Sequence, residues 1–170
     1  MSNEEKQPSS EPQEEKRLIV YKLAHQTQPC PVSCVSTCMA MLANRPVAEI
    51  HAKFHDRYLG PDSLSVRQML TELVIPFRSF DTADRNSLGT EPGFYLMCVP
   101  SLNIVGGNHA VIVEMRPDDW WFVFDPARGF EVDGKPRRYY TSGAEPLNDL
   151  ETVLHGGYTI EAFIPYNIFD

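Results

Sequence analysis

Residues 28–46 read QPCPVSCVSTCMAMLANRP, and this stretch decides how the chain is organised. Pro29 and Pro31 keep the backbone out of a helix as far as Ser33. Ser33 is a good N-cap residue. From Cys34 onward, Val35, Cys38, Met39 and Leu42 recur at helical spacing, and Asn44-Arg45-Pro46 ends the run. The spacing therefore predicts a helix that starts at Cys34. A second helix is expected from Pro46 or Val47 to about Leu59. Proline suits its first position, Val47, Ile50, Phe54 and Tyr58 form one stripe, and Gly60-Pro61 stops it. A third is expected from a cap at Asp62 or Ser63, with Leu64, Met69, Leu70 and Leu73 on its apolar face.

Beyond these helices the pattern changes to short apolar runs separated by turn residues. Strands are expected at Pro76–Phe80, Gly93–Val99, Asn108–Met115, Trp120–Asp125 and Tyr158–Pro165. Helices first and strands afterwards imply an α+β architecture, not alternating βαβ units. Residues 1–16 are polar and rich in Glu, Pro, Ser and Gln, and they read as a disordered acidic tail ahead of a domain at 17–170. Order is expected to begin with a strand at Leu18–Tyr21.

The 170 residues carry 15 Lys and Arg against 23 Asp and Glu, a formal net charge of −8. Part of that acidity is the tail. The balance argues against a nucleic-acid partner bound through its phosphates, which needs a basic face. No apolar run approaches the roughly 20 residues that span a bilayer. The amino terminus carries no apolar segment of the signal-peptide kind. The expected location is the cytoplasm, or export by a route that needs no signal peptide.

Cys34 falls at the start of a helix, where unpaired N–H groups and the positive end of the dipole favour a thiolate, the nucleophilic form of cysteine. Cys38, one turn on, and Cys98 are expected in the core. Cys30 sits in a Pro-flanked loop with no assigned role. A nucleophilic cysteine needs a base and an orienting group. The run NHAVIVEM (108–115), a Pro117-Asp118 turn and WWFVFDP (120–126) together signal a hairpin. A turn centred between Pro117 and Asp118 makes His109 and Asp125 near neighbours across the ladder, with Cβ atoms about 5–8 Å apart. Asp125 can then hold one imidazole nitrogen while the other faces a nucleophile.

Zinc is the competing use of these residues. Cys30, Cys34 and Cys38 are four apart, and His51 and His55 form an i, i+4 pair that can share a metal. Against this stand the lack of a CxxC knuckle, the missing Glu of a metalloprotease motif and the break at Pro31. His51 and His55 then read as a solvated helix flank, and no metal or other cofactor is expected.

Gln28 six residues before Cys34, Cys38 and Met41 on the following helix, an Asn-His at a strand start and Phe124-Asp125-Pro126 followed by Gly129 resemble the papain-like cysteine peptidases. The nearest variety is the double-glycine leader peptidase group that processes bacteriocin precursors, with its stand-alone relatives. The resemblance covers roughly residues 20–135. It departs from the group at Val35, where a glycine often follows the nucleophile. It implies N-terminal helices packed on an antiparallel β-sheet, Cys34 as nucleophile, His109 as base, Asp125 as orienting group and Gln28 as an oxyanion-hole donor. It implies a thiol hydrolase acting on a protein or peptide substrate. The same chemistry also serves bacterial effectors or toxins that deamidate glutamine or transfer acyl groups. A non-catalytic binding module on the same fold is the third reading.

Overall fold

The computed structural model describes residues 23–61, 63–80, 85, 86, 89, 91–118 and 120–166. The acidic tail and the strand expected at Leu18–Tyr21 lie outside the described residues. Three helices come first: α1 (Cys34–Ala43), α2 (Val47–Leu59) and α3 (Val66–Glu72). The strands follow: β1 (Gly93–Pro100), β2 (Asn108–Met115), β3 (Trp121–Phe124), β4 (Glu131–Val132), β5 (Lys135–Pro136), β6 (Tyr139–Thr141), β7 (Glu151–Val153) and β8 (Thr159–Pro165). The helices pack against a four-stranded antiparallel sheet of order β3-β2-β1-β8, so the architecture is α+β. No helix among the described residues is long and apolar enough to cross a membrane.

Every residue of α1 from Cys34 to Leu42 is buried. A helix covered on all sides must satisfy its own polar groups. Ser36 and Thr37 do so by donating their hydroxyls back to the Ser33 carbonyl at 3.0 and 2.9 Å. Asn44 closes the helix in the left-handed region at φ 50°, and its N–H reaches Ala40 and Met41. Asparagine tolerates that conformation better than most residues. Ser33 stands at the N-cap position, but its side chain does not cap the helix. Its hydroxyl instead donates to the Cys30 carbonyl and accepts from the Cys30 N–H. A local turn has captured the capping group, the usual competition for short polar side chains.

α2 runs as the stripe requires, with Ile50 and Phe54 fully buried. α3 starts later than expected. Its cap is Ser65, in a reciprocal capping box with Gln68, in place of Asp62 or Ser63. Two orphan donors are satisfied at once by that pair, which is why it fixes the start.

The sheet separates two cores. Even-numbered Phe94, Leu96, Ala110, Ile112 and Phe124 face the helices. Odd-numbered Tyr95, Met97, Val99, Val111 and Val113 pack on the other side with Tyr140 and Leu154. This is the period-two alternation of a strand. In β8 the register shifts between Leu96 and Met97, which pair with Ala162 and Ile160. Glu161 is the extra residue, and this bulge moves Ile160 into the second core while Ala162 stays in the first.

Two expectations need correction. Pro76–Phe80 is not a strand. It contributes one bridge, Arg78 to Phe163, since Pro76 has no N–H to extend a ladder. Cys98 is half-buried and lines a surface groove, not the core interior. β4 and β5 join at Asp133-Gly134, both at positive φ (53° and 70°), the geometry of a two-residue hairpin.

Candidate active site

The amino-terminal segment is stitched to the turn that follows β3. The His25 Nε2–H donates to the Asp125 carbonyl at 2.9 Å. The Thr27 hydroxyl donates to the Arg128 carbonyl at 2.9 Å. The Gln28 N–H donates to the Pro126 carbonyl at 2.9 Å. Gly129 in that turn has φ +80°, and a Cβ there would come within 3.2 Å of the Thr27 hydroxyl. Glycine thus meets both the conformation and the close approach. These bonds fix the segment leading to Cys34 against the segment carrying Asp125.

Asp125 is buried, with 1 % of its surface exposed, and its carboxylate meets three donors. His109 Nε2–H donates to Oδ1 at 2.6 Å. The Ala127 N–H donates to the same oxygen at 2.7 Å, and the Tyr140 N–H to Oδ2 at 2.6 Å. An ionised carboxylate is acceptor-only and suits such a site. Bonds of this kind to a charged acceptor are among the stronger ones.

The pairing of His109 with Asp125 arises differently from the expected ladder. β2 and β3 pair only from Ile112–Phe124 to Met115–Trp121. The hairpin closes with the Arg116 N–H donating to the Trp120 carbonyl at 2.8 Å, so its turn centres on Asp118. Asp125 therefore lies past the end of the ladder, and its side chain reaches His109 from the turn.

With Nε2 committed to Asp125, the other ring nitrogen of His109 is the one left to face Cys34. Both side chains line the same groove, and each sets the other's protonation. Burial alone pushes the Cys34 thiol up, but the His109 hydrogen bond and charge, with backbone hydrogen bonds from Ala110 and Val35, carry it below its ordinary value of 9.0. Burial pushes His109 down, and the bonds and charges of Asp125 and Cys34 outweigh it, lifting the imidazole to about 10. Opposite shifts of this kind describe a thiolate–imidazolium pair. Cys38 differs from Cys34 although it is one turn away. Its thiol donates to the Ala110 carbonyl at 3.5 Å, and burial raises it well above 9.0.

Two cavities flank His109. A groove of about 370 Å³ is walled by Cys34, Val35, Tyr58, Val66, Leu96 and Ala110, with the bulge residue Glu161 at its edge. Glu161 is neutralised there by Arg85, at 2.5 Å. A narrow cavity of about 50 Å³ shares Pro31, Ile104 and His109 with the groove and is lined by Gln28. Gln28 is 5 % exposed and donates one Nε2–H to the Cys30 carbonyl at 2.9 Å. Its Oε1 is buried without a hydrogen-bond partner among the described residues. Thus the site gathers Cys34, His109 and Asp125, and Gln28 lines the adjoining cavity that shares His109 with the groove. The residues that sequence reasoning missed are His25, Ala127 and Tyr140, which hold Asp125 through backbone groups or a distant side chain.

Cys30 lies outside this set. Its sulfur is 4.0 Å from His51 Nε2 and 3.7 Å from His55 Nε2. These three, not the three cysteines, are the metal-type ligands that converge.

Fold and site together define an α+β protein with a thiol–imidazole–carboxylate site at the junction of helix and sheet. Compared with protein-family models, with curated proteins and with solved structures, the chain finds no match.

Proposed function

We propose that the chain is a papain-like cysteine peptidase with Cys34 as nucleophile, His109 as general base and acid, and Asp125 as the orienting group. The observation that carries this reading is the saturated Asp125 carboxylate, which holds His109 Nε2 at 2.6 Å beside the groove that His109 and Cys34 line together. A structural histidine has no need of so fully bonded a partner beside a thiol of lowered pKa.

The Cys34 thiolate attacks an amide carbonyl lying in the groove, forming the carbon–sulfur bond and placing a negative charge on the carbonyl oxygen. The Cys34 N–H at the start of α1 and the second Nε2–H of Gln28, beside the one given to the Cys30 carbonyl, are the donors for that oxygen. Collapse breaks the carbon–nitrogen bond, and the His109 imidazolium gives its proton to the leaving amine. A water molecule then transfers a proton to His109 and attacks the thioester. The acid product leaves, and the proton on His109 again balances the Cys34 thiolate. The apolar groove walls favour an apolar side chain near the scissile bond.

The deciding experiment is incubation with a proteome-derived peptide library, read by mass spectrometry. New peptide termini that are absent with Cys34→Ala are expected. Intact peptides heavier by about one mass unit would instead assign glutamine deamidation, which uses the same thioester. No change of either kind would leave the binding-module reading. For a peptide found to be cleaved, Gln28→Ala is expected to lower kcat by about 10²–10³-fold with little change in KM, the signature of a lost oxyanion donor. A rise in KM at unchanged kcat would place Gln28 in ordinary substrate binding.

A further inference from the structure

We propose that Cys30, His51 and His55 form a binding site for a divalent cation of the zinc class, separate from the Cys34 site and independent of the peptidase reading. His51 and His55 lie one turn apart on α2, their rings stacked with centroids 4.0 Å apart and planes at 19°. Cys30 comes to them from the 28–33 turn, with its sulfur 4.0 and 3.7 Å from the two Nε2 atoms. Three ligand atoms converge within 4.8 Å of one another. Tetrahedral zinc, with Zn–S of about 2.3 Å and Zn–N of about 2.0–2.1 Å, needs sulfur and nitrogen about 3.6 Å apart. The ligands therefore stand within a few tenths of an ångström of the required spacing for both histidines.

The donor types agree with the geometry. One thiolate with two neutral imidazoles suits zinc and disfavours calcium and magnesium, which take oxygen ligands. All three residues are half-buried, so the ion has access and its fourth position stays open to solvent. On binding, the Cys30 thiol releases its proton to solvent as the metal–sulfur bond forms. The two imidazoles donate lone pairs and replace water molecules of the hydrated ion.

The site has a mechanical consequence. The Cys30 carbonyl accepts the Nε2–H of Gln28 and the hydroxyl of Ser33, and Ser33 immediately precedes Cys34. A metal at Cys30 therefore pins to α2 the turn that positions both Gln28 and the start of α1.

Cobalt(II) titration of the Cys34→Ala protein tests the proposal, because that background removes the groove thiol that shares its surroundings with His109. The expected result is one equivalent bound, with the visible bands of tetrahedral cobalt and a near-ultraviolet thiolate charge-transfer band, both displaced by zinc. Adding Cys30→Ser should abolish the charge-transfer band and weaken zinc binding by on the order of 100-fold or more, beyond what loss of a supporting outer-shell contact costs. His55→Ala repeats the test on α2 without altering the turn and should weaken binding comparably. A titration without the charge-transfer band, or a band that survives Cys30→Ser, overturns the proposal.

Discussion

Alkylation of Cys34 by iodoacetamide at pH 7 should slow by about 100-fold or more in His109→Ala, and turnover of a cleaved peptide by about 10⁴–10⁶-fold. The two effects share one cause. Burial raises the thiol, and the imidazole hydrogen bond and charge are the larger of the influences that bring it below 9.0. Removing the imidazole leaves the burial in place, so the thiol moves above its ordinary value. A thiol two units above the working pH is about 1 % thiolate. The sign of the pH dependence follows. In the intact protein Cys34 loses its proton below pH 9.0, and His109 keeps its proton until about pH 10. Turnover should rise with pH through the Cys34 step, stay high while the ion pair persists, and fall as His109 deprotonates near pH 10. Alkylation should not fall at the upper limb, because the thiolate remains when the imidazole becomes neutral. In His109→Ala a single alkylation step above pH 9 is expected, read by peptide mass mapping of Cys34 against pH. An unchanged alkylation profile in that variant would break the link between the two residues.

The parts of this site legible in the sequence are those that local rules determine. Pro46, Gly60 and the apolar stripe of Ile50 and Phe54 set α2, and its bounds agree with the reading. Cys34 as the first residue of α1 follows from Pro29, Pro31 and the periodicity that begins after them. β2 was legible residue for residue as an apolar run bounded by Asn108 and the Pro117 turn. What escaped is made by tertiary packing. Cys30 meets His51 and His55 only because α1 packs on α2, and no spacing along the chain announces it. The three-residue strands β6 and β7 pair in parallel across a long connection, and such short segments lack a periodicity of their own. Yet β6 supplies the Tyr140 N–H that fixes Asp125. The partnership of His109 with Asp125 was read from a ladder, but it is made by a turn, since the hairpin centre falls on Asp118. A displacement of half a residue in the turn was enough to change how the contact arises without separating the side chains.

Asp125→Ala should damage folding and turnover together, because it removes a group on which both stability and chemistry depend. Stability is expected to fall by about 3–5 kcal/mol, the usual cost of removing one member of a buried, hydrogen-bonded charged pair. The Ala127 and Tyr140 N–H groups lose their acceptor inside the protein, and unmade buried bonds cost more than made ones contribute. Turnover should fall by about 10⁴-fold, since His109 loses the bond that orients it. Asp125→Asn separates the two consequences. Its single carbonyl oxygen can still accept from His109 and Ala127, while its amide nitrogen then confronts the Tyr140 N–H, donor against donor. It should therefore keep more of the turnover than Asp125→Ala while losing about 1–3 kcal/mol of stability. Urea titrations give the stabilities, and turnover is compared at a temperature where both variants remain folded. The decisive comparison is the double variant His109→Ala with Asp125→Ala. If Asp125 acts on the chemistry through His109, the double variant should be scarcely slower than His109→Ala alone, since residues that work as a unit are far from additive. Additive losses would mean that Asp125 contributes by some path other than the imidazole, and the orienting role assigned to it would fall.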